Sequence, residues 1–320
     1  MAEEATKKTV KKSTTKKKNT KKFEGVDIKP EIVLVGDSPI EEILLKDRTM
    51  GRNVIWATED YKELGDGYAF DDEIQFDLIA GDNASIVKPR TAKTRSKQKE
   101  RTKSHAEVFT PSWICNVQNN VVDDSWFDRK GSFNTTTEDE HEWTPSAKVD
   151  FSGLSADKTW ENYVTENRME ITCGEAPYLT SRYDATTGDD IEISRRVGLL
   201  DRKLRVVKEN VSCDDMDKLF EFATKAFKSI YGFEWQGDNI VIARHNLLDT
   251  FTDFWVDATG EQPSEEGLKK IATIISWNIF QMDGLEPKCG IIPGGDRYVY
   301  IMDWEKEEPQ TFVSLIKTDE

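Results

Sequence analysis

The clearest pattern of apolar and polar positions along the chain begins at Ser212. Ser212 and Asp215 form a capping-box pattern, and apolar residues then recur at intervals of three and four. This spacing predicts a helix, followed by a strand with the sequence SIYGFEW at 229–235. The turn QGDN then precedes a second predicted helix, from Asp238 to about Trp255.

Alternation of helices and strands extends to both sides of this segment. Ser264 begins a further predicted helix, and NIFQMD at 278–283 is a predicted strand. Upstream, a short helix near 157–167 leads into a strand at 169–172, and another strand is predicted at 204–208. This alternation predicts an α/β fold with a mostly parallel sheet.

The first hundred residues lack this alternation. Residues 1–22 alternate Lys with Thr and Ser, which predicts a disordered tail, whereas EIVLV at 31–35 predicts a short strand. Residues 53–87 mix aromatic and acidic residues around glycines. We therefore divide the chain into a Lys-rich tail at 1–22, an irregular N-terminal region with a basic arm at 23–105, and an α/β domain at 106–320.

Charge is distributed unevenly along the sequence. The net charge is −16, yet residues 1–22 carry nine Lys against two Glu, and residues 88–105 carry eight Lys or Arg against one Glu. These basic segments are suited to contact with DNA phosphates, although a solubilising tail and a solvated loop explain them equally well. The acidic remainder would also fit an inhibitor that imitates DNA phosphates, but the α/β pattern and the basic segments argue against that interpretation.

Composition narrows the class of protein. No run of eighteen apolar residues is present, so we expect no membrane span, and no apolar segment near the N-terminus predicts a secretory signal. The four cysteines are far apart and lack C-x-x-C spacing. We therefore expect free thiols, a cytoplasmic location and no structural zinc site.

Acidic residues end two of the predicted strands and precede candidate ligand-binding turns. Glu170 is followed by a turn in which the small residues Gly174 and Ala176 let the backbone approach a ligand closely. Glu234 ends the second strand, where a carboxylate suits paired ribose hydroxyls. Trp235 beside it can stack on a base.

Two further segments carry candidate binding residues. Asp283 ends a third predicted strand and can accept a hydrogen bond from an exocyclic amine. Thr110 and Pro111 begin a predicted helix whose free backbone N–H groups favour an anion, and Phe109 can flank a ligand. Each segment alone also fits an ordinary strand end or capped helix, so the prediction depends on their order along the chain.

Together, the four segments resemble the S-adenosylmethionine-binding half of DNA adenine-N6 methyltransferases, of the kind found in modification subunits of restriction-modification systems. AEVFTP is similar to the family's G-x-F/Y-x-T-P element. EITCGEAPYL is similar to its D-P-A-C-G-S-G-x-F-L motif, with Glu170 and Gly174 matching and Ala176 departing from glycine. The resemblance covers about 106–285.

This resemblance implies a Rossmann-like methyltransferase fold, S-adenosylmethionine as cofactor, and DNA methylation as the activity. DNA is the implied partner, and a specificity or restriction subunit is a further partner that the resemblance implies. In this interpretation Glu234 holds the ribose and Asp283 contacts the adenine of the cofactor. The implied cofactor-binding residues are Phe109, Thr110, Pro111, Glu170, Cys173, Gly174, Ala176, Glu234, Trp235 and Asp283.

The sequence departs from this family at the catalytic signature. The family's Asn/Asp/Ser-Pro-Pro-Tyr/Phe motif is missing, since no Pro-Pro occurs in the chain. The nearest candidate is Asp303 with Trp304, in which the carboxylate would accept from the target amine and the indole would stack on a flipped adenine. In the other interpretation, Asp303 is an ordinary residue at the end of a strand and Trp304 is a packing residue. The alternative function is accordingly a catalytically inactive module that binds DNA or a partner.

Overall fold

A computed structural model of the protein describes residues 39–94, 98, 101–102, 109–284 and 298–316, so the predicted tail at 1–22 and strand at 31–35 lie outside the described residues. The helices are α1 Pro39–Leu45, α2 Ser112–Phe127, α3 Trp160–Thr165, α4 Leu199–Asn210, α5 Met216–Lys228, α6 Gly237–Thr259, α7 Glu265–Asn278 and α8 Phe312–Ile316. The strands are β1 Lys46–Asp47, β2 Arg52–Asn53, β3 Asn134–Thr136, β4 Trp143–Pro145, β5 Arg168–Glu170, β6 Ile230–Glu234, β7 Ile279–Gln281, β8 Tyr300–Asp303 and β9 Glu308–Thr311.

A parallel sheet of three strands, in the order β5-β6-β7, organises the second half of the chain. Met169 pairs with Tyr231, and Phe233 pairs with Phe280. Helices α4 and α5 connect the first two strands, and α6 and α7 connect the last two. The prediction of parallel strands joined by helices is confirmed for this sheet, whereas the other three sheets of the described residues are antiparallel pairs.

The predicted elements closest to this sheet agree with the structure. The helix near 157–167 is α3, the strand at 229–235 is β6, and the strand at 278–283 is β7. Helix α7 begins after Ser264, whose hydroxyl accepts a hydrogen bond of 3.1 Å from the backbone N–H of Gly267.

Three local predictions are wrong. The segment at 204–208 lies inside helix α4 rather than in a strand. Helix α5 is capped by Asp215, which accepts from the backbone N–H of Lys218, so Ser212 is not its cap. Helix α2 begins at Ser112 with Pro111 as its N-cap residue, which leaves Thr110 outside the helix.

Residues 39–94 pack directly on helix α6. Trp56 is completely buried and shares a hydrophobic cluster with Ile240. The contact is close at Gly237, where a Cβ atom would overlap the carbonyl oxygen of Ile55. Residues on both sides of the predicted division at 106 therefore belong to one compact unit. Among the described helices, none combines the length and the apolar character needed to cross a membrane.

Candidate functional site

A cleft of about 840 Å³ opens at the carboxyl ends of the three parallel strands. Glu170 and Glu234, the last residues of β5 and β6, line it together with Met282 and Gly284, which follow β7. Open α/β sheets bind their ligands outside the carboxyl ends of the strands. The two carboxylates therefore share a single cavity in the position where such folds place a ligand.

The turn after β5 brings the backbone to the edge of this cleft. Thr172, Gly174 and Ala176 all adopt positive φ angles, of 50°, 53° and 64°. The N–H of Cys173 donates to the carbonyl of Phe233 on β6 at 2.8 Å, which fixes the turn against the sheet. Ala176 thus occupies a conformation that glycine adopts without steric cost, at the position where the glycine motif carries glycine.

Backbone N–H groups hold the carboxylate of Glu234 in place. Its Oε2 accepts from the N–H of Gly174 at 2.9 Å, and its Oε1 accepts from the N–H of Gln236 at 3.1 Å. Burial raises the pKa of Glu234, and the hydrogen bonds from Gln236 and Gly174 offset part of that rise. Each oxygen retains a lone pair for a ligand hydroxyl.

Glu170 has an unsatisfied oxygen in the wall of the cleft. The residue is only 9% exposed, and its Oε1 accepts a long hydrogen bond of 3.4 Å from the N–H of Tyr178. Its Oε2 is buried without a hydrogen-bond partner among the described residues. Burial raises the pKa of Glu170 well above the usual range, and the nearby charge of Glu234 adds to this rise. A ligand that donates a hydrogen bond here would satisfy the orphan oxygen.

The charged groups around the cleft are all acidic. Glu170, Glu175 and Glu234 line it, and the described lining contains no Lys or Arg. The carboxylate of Glu175 is also engaged, because its Oε2 accepts from the hydroxyl of Tyr183 at 2.7 Å. This lining favours a cationic ligand over a phosphate-bearing one. No group of three or more metal-ligating side chains occurs in the described parts of the chain.

The other predicted cofactor residues divide into two groups. Those that line the cleft with Glu170, Gly174 and Glu234 are Phe109, Thr110, Cys173 and Trp235. Those absent from the lining are Pro111, Ala176 and Asp283. Pro111 is the N-cap residue of α2, and the side chain of Ala176 lies in the hydrophobic core. Asp283 lies between two residues that do line the cleft.

The predicted anion site at the start of α2 is occupied by the protein itself. The N–H of Ser112 donates to the Oδ2 atom of Asp184 at 2.7 Å. Burial raises the pKa of Asp184, but hydrogen bonds from Thr186 and Ser112 outweigh it and leave the pKa below its usual value. The carboxylate therefore stays charged and satisfies one of the free donors at the helix N-terminus.

The structure does not bring the predicted catalytic pair to the cleft. Asp303 and Trp304 line a separate cavity with Arg168, the first residue of β5. The indole N–H of Trp304 donates to the side-chain oxygen of Asn278, immediately before β7, at 2.9 Å. The carboxylate of Asp303 accepts from the side chain of Gln310 at 2.6 Å. Both residues therefore lie towards the amino ends of the strands, opposite the cleft.

Sequence reasoning missed the contribution of helix α2 to the cleft. Gln118, Asn119 and Val122 line one wall, and Asn119 donates to the carbonyl of Tyr178 at 3.0 Å. Gln118 and Val122 are four residues apart and share a helix face. The available signal in the sequence was this spacing, which places the polar Gln118 one turn before the apolar Val122 on the predicted helix.

Two cations of the predicted phosphate-binding arm are used inside the protein. Lys93 and Arg101 form ion pairs of 3.0 and 2.9 Å with Asp238, and the side chains of both cations are at most 5% exposed. The hydroxyl of Tyr61 donates to the same carboxylate at 2.7 Å. Burial raises the pKa of Asp238, but Lys93 and Arg101 together outweigh it and leave the pKa low. These two residues therefore stabilise the fold and do not present charge to DNA.

Comparisons with known proteins provide no information about the ligand of the cleft. The sequence matches no protein-family model, no curated protein and no solved structure. The features that bear on function are therefore the two strand-end glutamates, the turn at 172–176 and the acidic lining.

Proposed function

We propose that the cleft binds S-adenosylmethionine and that the protein is a Rossmann-like, methyltransferase-like protein of a restriction-modification system, acting on adenine N6 in DNA. The observation that carries this proposal is that Glu170 and Glu234 line one cavity at the ends of neighbouring parallel strands. The motif order along the sequence is also the order of the strands in the sheet.

The acidic lining favours this ligand over nucleotides. S-adenosylmethionine carries a sulfonium and an ammonium group and no phosphate, so it suits a cavity with three carboxylates and no cation in its described lining. Glu234 would accept from the ribose hydroxyls, Glu170 would accept from the ammonium group, and Trp235 would pack against the base. A volume of about 840 Å³ is within the range of small-molecule sites.

A second candidate function is a module that binds the cofactor without methyl transfer, together with DNA or a partner subunit. The position of Asp303 and Trp304 favours it, since both residues line a cavity other than the cleft. Neither residue lines the cleft in which a methyl group would be transferred. The two candidates differ in whether a target amine can be held beside the cofactor.

Calorimetric titration with S-adenosylmethionine tests the binding site. We expect Glu234→Ala to weaken binding by about 1.5–3 kcal/mol, the usual contribution of a hydrogen bond to a charged group. Glu221→Gln is the matched control, because Glu221 is an exposed carboxylate on α5 outside the cleft. Thermal unfolding of each variant checks that the fold is retained. Equal affinity of Glu234→Ala and the wild type would remove this residue from the site.

Proton release on binding gives a separate readout of Glu170. A cationic ligand beside this carboxyl group would lower its raised pKa and expel the proton. At pH values between the usual range of a glutamate and the raised pKa, we expect the binding enthalpy to depend on the ionisation enthalpy of the buffer, and this dependence to disappear in Glu170→Gln. An enthalpy that is the same in all buffers would show that the ligand does not meet Glu170.

Transfer of a labelled methyl group to DNA separates the two candidate functions. Incorporation of label at adenine supports the enzyme, whereas binding of S-adenosylmethionine without incorporation supports the non-catalytic module. No binding at all would contradict both.

A further inference from the structure

A second cavity, of about 580 Å³, lies at the amino ends of β5 and β6. Arg168 and Tyr231 from the start of these strands line it, together with Lys228 at the end of α5 and Trp304 after β8. Its volume is within the range that holds a small organic ligand, which is about 300–1,000 Å³. The first cleft lies at the other end of the same strands.

Cationic groups with unused bonding capacity face this cavity. The side chain of Arg168 is 13% exposed, and its Nη1 atom lies 3.2 Å from the carboxylate of Glu166. Its Nε and Nη2 atoms have no hydrogen-bond partner in the described residues. The ammonium of Lys228 lies 5.0 Å from the centre of the Trp304 ring and pairs with no described carboxylate. A guanidinium with two free donors is suited to a phosphate group.

Aromatic and apolar side chains line the cavity next to these cations, with Trp304 directly beside Lys228. The indole N–H of Trp304 donates to Asn278, which fixes the plane of the ring. Met302 and Ile301 from β8 line the cavity beside it. Burial raises the pKa of Tyr231 to about 12, so its hydroxyl stays protonated and can donate a hydrogen bond. A fixed indole is a stacking surface for a base.

Two acidic residues, Asp303 and Glu305, also line the cavity, and their charges add to the rise in the pKa of Tyr231. Asp303 is compensated by Lys306 at 3.1 Å and accepts from the backbone N–H of Glu305 at 3.0 Å. Glu305 is exposed. Lys225 is a third cation in the lining and pairs with Glu221 on the outer surface of α5. Arg168 and Lys228 therefore remain available to an anion.

We propose that this second cavity binds a nucleotide, with the base against Trp304 and the phosphate between Arg168 and Lys228. A free nucleotide and a nucleotide unit of single-stranded nucleic acid share this chemistry. The site is distinct from the acidic cleft and does not depend on the identity of the ligand there. In this second cavity Trp304 would stack on a base, outside the acidic cleft in which a methyl group would be transferred.

Calorimetric titration with adenosine 5′-monophosphate tests the site. We expect Lys228→Met and Arg168→Met each to weaken binding about tenfold, and adenosine without its phosphate to bind at least tenfold more weakly than the nucleotide. Lys270→Met is the matched control, because the ammonium of Lys270 lies 5.2 Å from the ring of Phe220, outside this cavity. It should leave the affinity unchanged.

Two further measurements make the assignment specific. Trp304→Leu should weaken binding, and Trp304→Phe should restore part of it, with thermal unfolding confirming that each variant folds. If the protein binds a thymidine decanucleotide and Lys228→Met abolishes this binding, the natural ligand of the cavity is single-stranded nucleic acid. If the protein binds the mononucleotide alone, the natural ligand is a free nucleotide. Absence of binding at millimolar nucleotide, or binding that is lost in Glu170→Gln and kept in Lys228→Met, would overturn the proposal.

Discussion

Thr172 is a strained residue at the edge of the acidic cleft. Its φ angle of 50° is costly for a β-branched side chain, at about 1–3 kcal/mol. We expect Thr172→Gly to raise the free energy of unfolding by about 1 kcal/mol, because glycine adopts this conformation freely. Ile171→Gly is the matched control. Ile171 is 67% exposed and has no positive φ, so its replacement should lower the free energy of unfolding by about 0.5–1 kcal/mol. Urea denaturation that shows equal losses for both variants would contradict the assignment of strain.

The raised pKa of Glu170 predicts a pH dependence of stability. The carboxyl group of the native state keeps its proton at pH values where the unfolded chain, with a pKa of about 4.3, has lost it. Stability therefore falls as pH rises from about 4.3 towards the native pKa. We expect the loss of unfolding free energy between pH 5 and pH 8 to be smaller in Glu170→Gln than in the wild type, by about 1.4 kcal/mol for each pH unit of this interval that lies below the native pKa. Urea denaturation at both pH values measures the difference, and parallel pH profiles would contradict it.

The sequence identified some of the residues that line the cleft and misplaced others. Glu234 was found because a carboxylate ends an apolar strand, and Glu170 was found because it lies in a strand that leads into a turn of small residues. Asp303 follows the same local pattern, but the sequence does not show that it lines a cavity with Arg168, the first residue of β5, rather than the cleft at the carboxyl ends of the strands. Local pattern identifies a strand end, whereas the end of the sheet that it reaches depends on tertiary packing.

At the scale of elements, an ion cluster ties Lys93 and Arg101 to Asp238 at the start of α6. Replacing Asp238 by Asn would leave Lys93 and Arg101 buried without a full counter-charge. We expect Asp238→Asn to lower the free energy of unfolding by about 3–5 kcal/mol. Chemical denaturation measures this change.

The matched control for this cluster is an exposed ion pair. Asp257 pairs with Lys208 at 2.6 Å, and both side chains are at least 34% exposed. Asp257→Asn should cost less than about 1 kcal/mol, since solvent screens an exposed pair. Similar losses for the two variants would show that burial does not strengthen the Asp238 cluster.

Element types were predictable where one periodicity dominated the sequence. Helices α6 and α7 and strands β6 and β7 were all predicted close to their positions. Helix α4 was missed at 204–208 because adjacent valines favour a strand locally, although the buried residues of the element follow helical spacing. The cap of α5 was also misassigned, since Asp215 and not Ser212 accepts from the backbone N–H of Lys218 in the first turn.

At the scale of the whole molecule, the packing of residues 39–94 on α6 was not predictable from local pattern. Arg244 donates to the carbonyl of Lys46 at 2.9 Å, across 198 residues of sequence. The carbonyl of Trp56 accepts from the N–H of Gly237 at 2.9 Å. Contacts between distant segments produce no periodic pattern of apolar residues in the sequence of either segment.

Gly237 gives a direct test of this packing. A methyl group there would overlap the carbonyl oxygen of Ile55, so we expect Gly237→Ala to lower the free energy of unfolding by about 1–3 kcal/mol. Gly267 is also in the first turn of a helix, and a Cβ there would lie 3.2 Å from the hydroxyl of Ser264 and 3.3 Å from the ring of Phe220, which are side-chain contacts rather than a backbone overlap. Gly267→Ala should therefore lower the free energy of unfolding by less than Gly237→Ala in the same experiment. Equal tolerance of both substitutions would contradict the close contact.

The proposed function depends on one cavity, the cleft at the carboxyl ends of β5 and β6. A crystal structure of the protein with S-adenosylmethionine tests it most directly. We predict that the ribose hydroxyls lie within hydrogen-bonding distance of Glu234 and that the ammonium group lies beside Glu170. A ligand bound elsewhere, or a ribose out of reach of Glu234, would contradict the account.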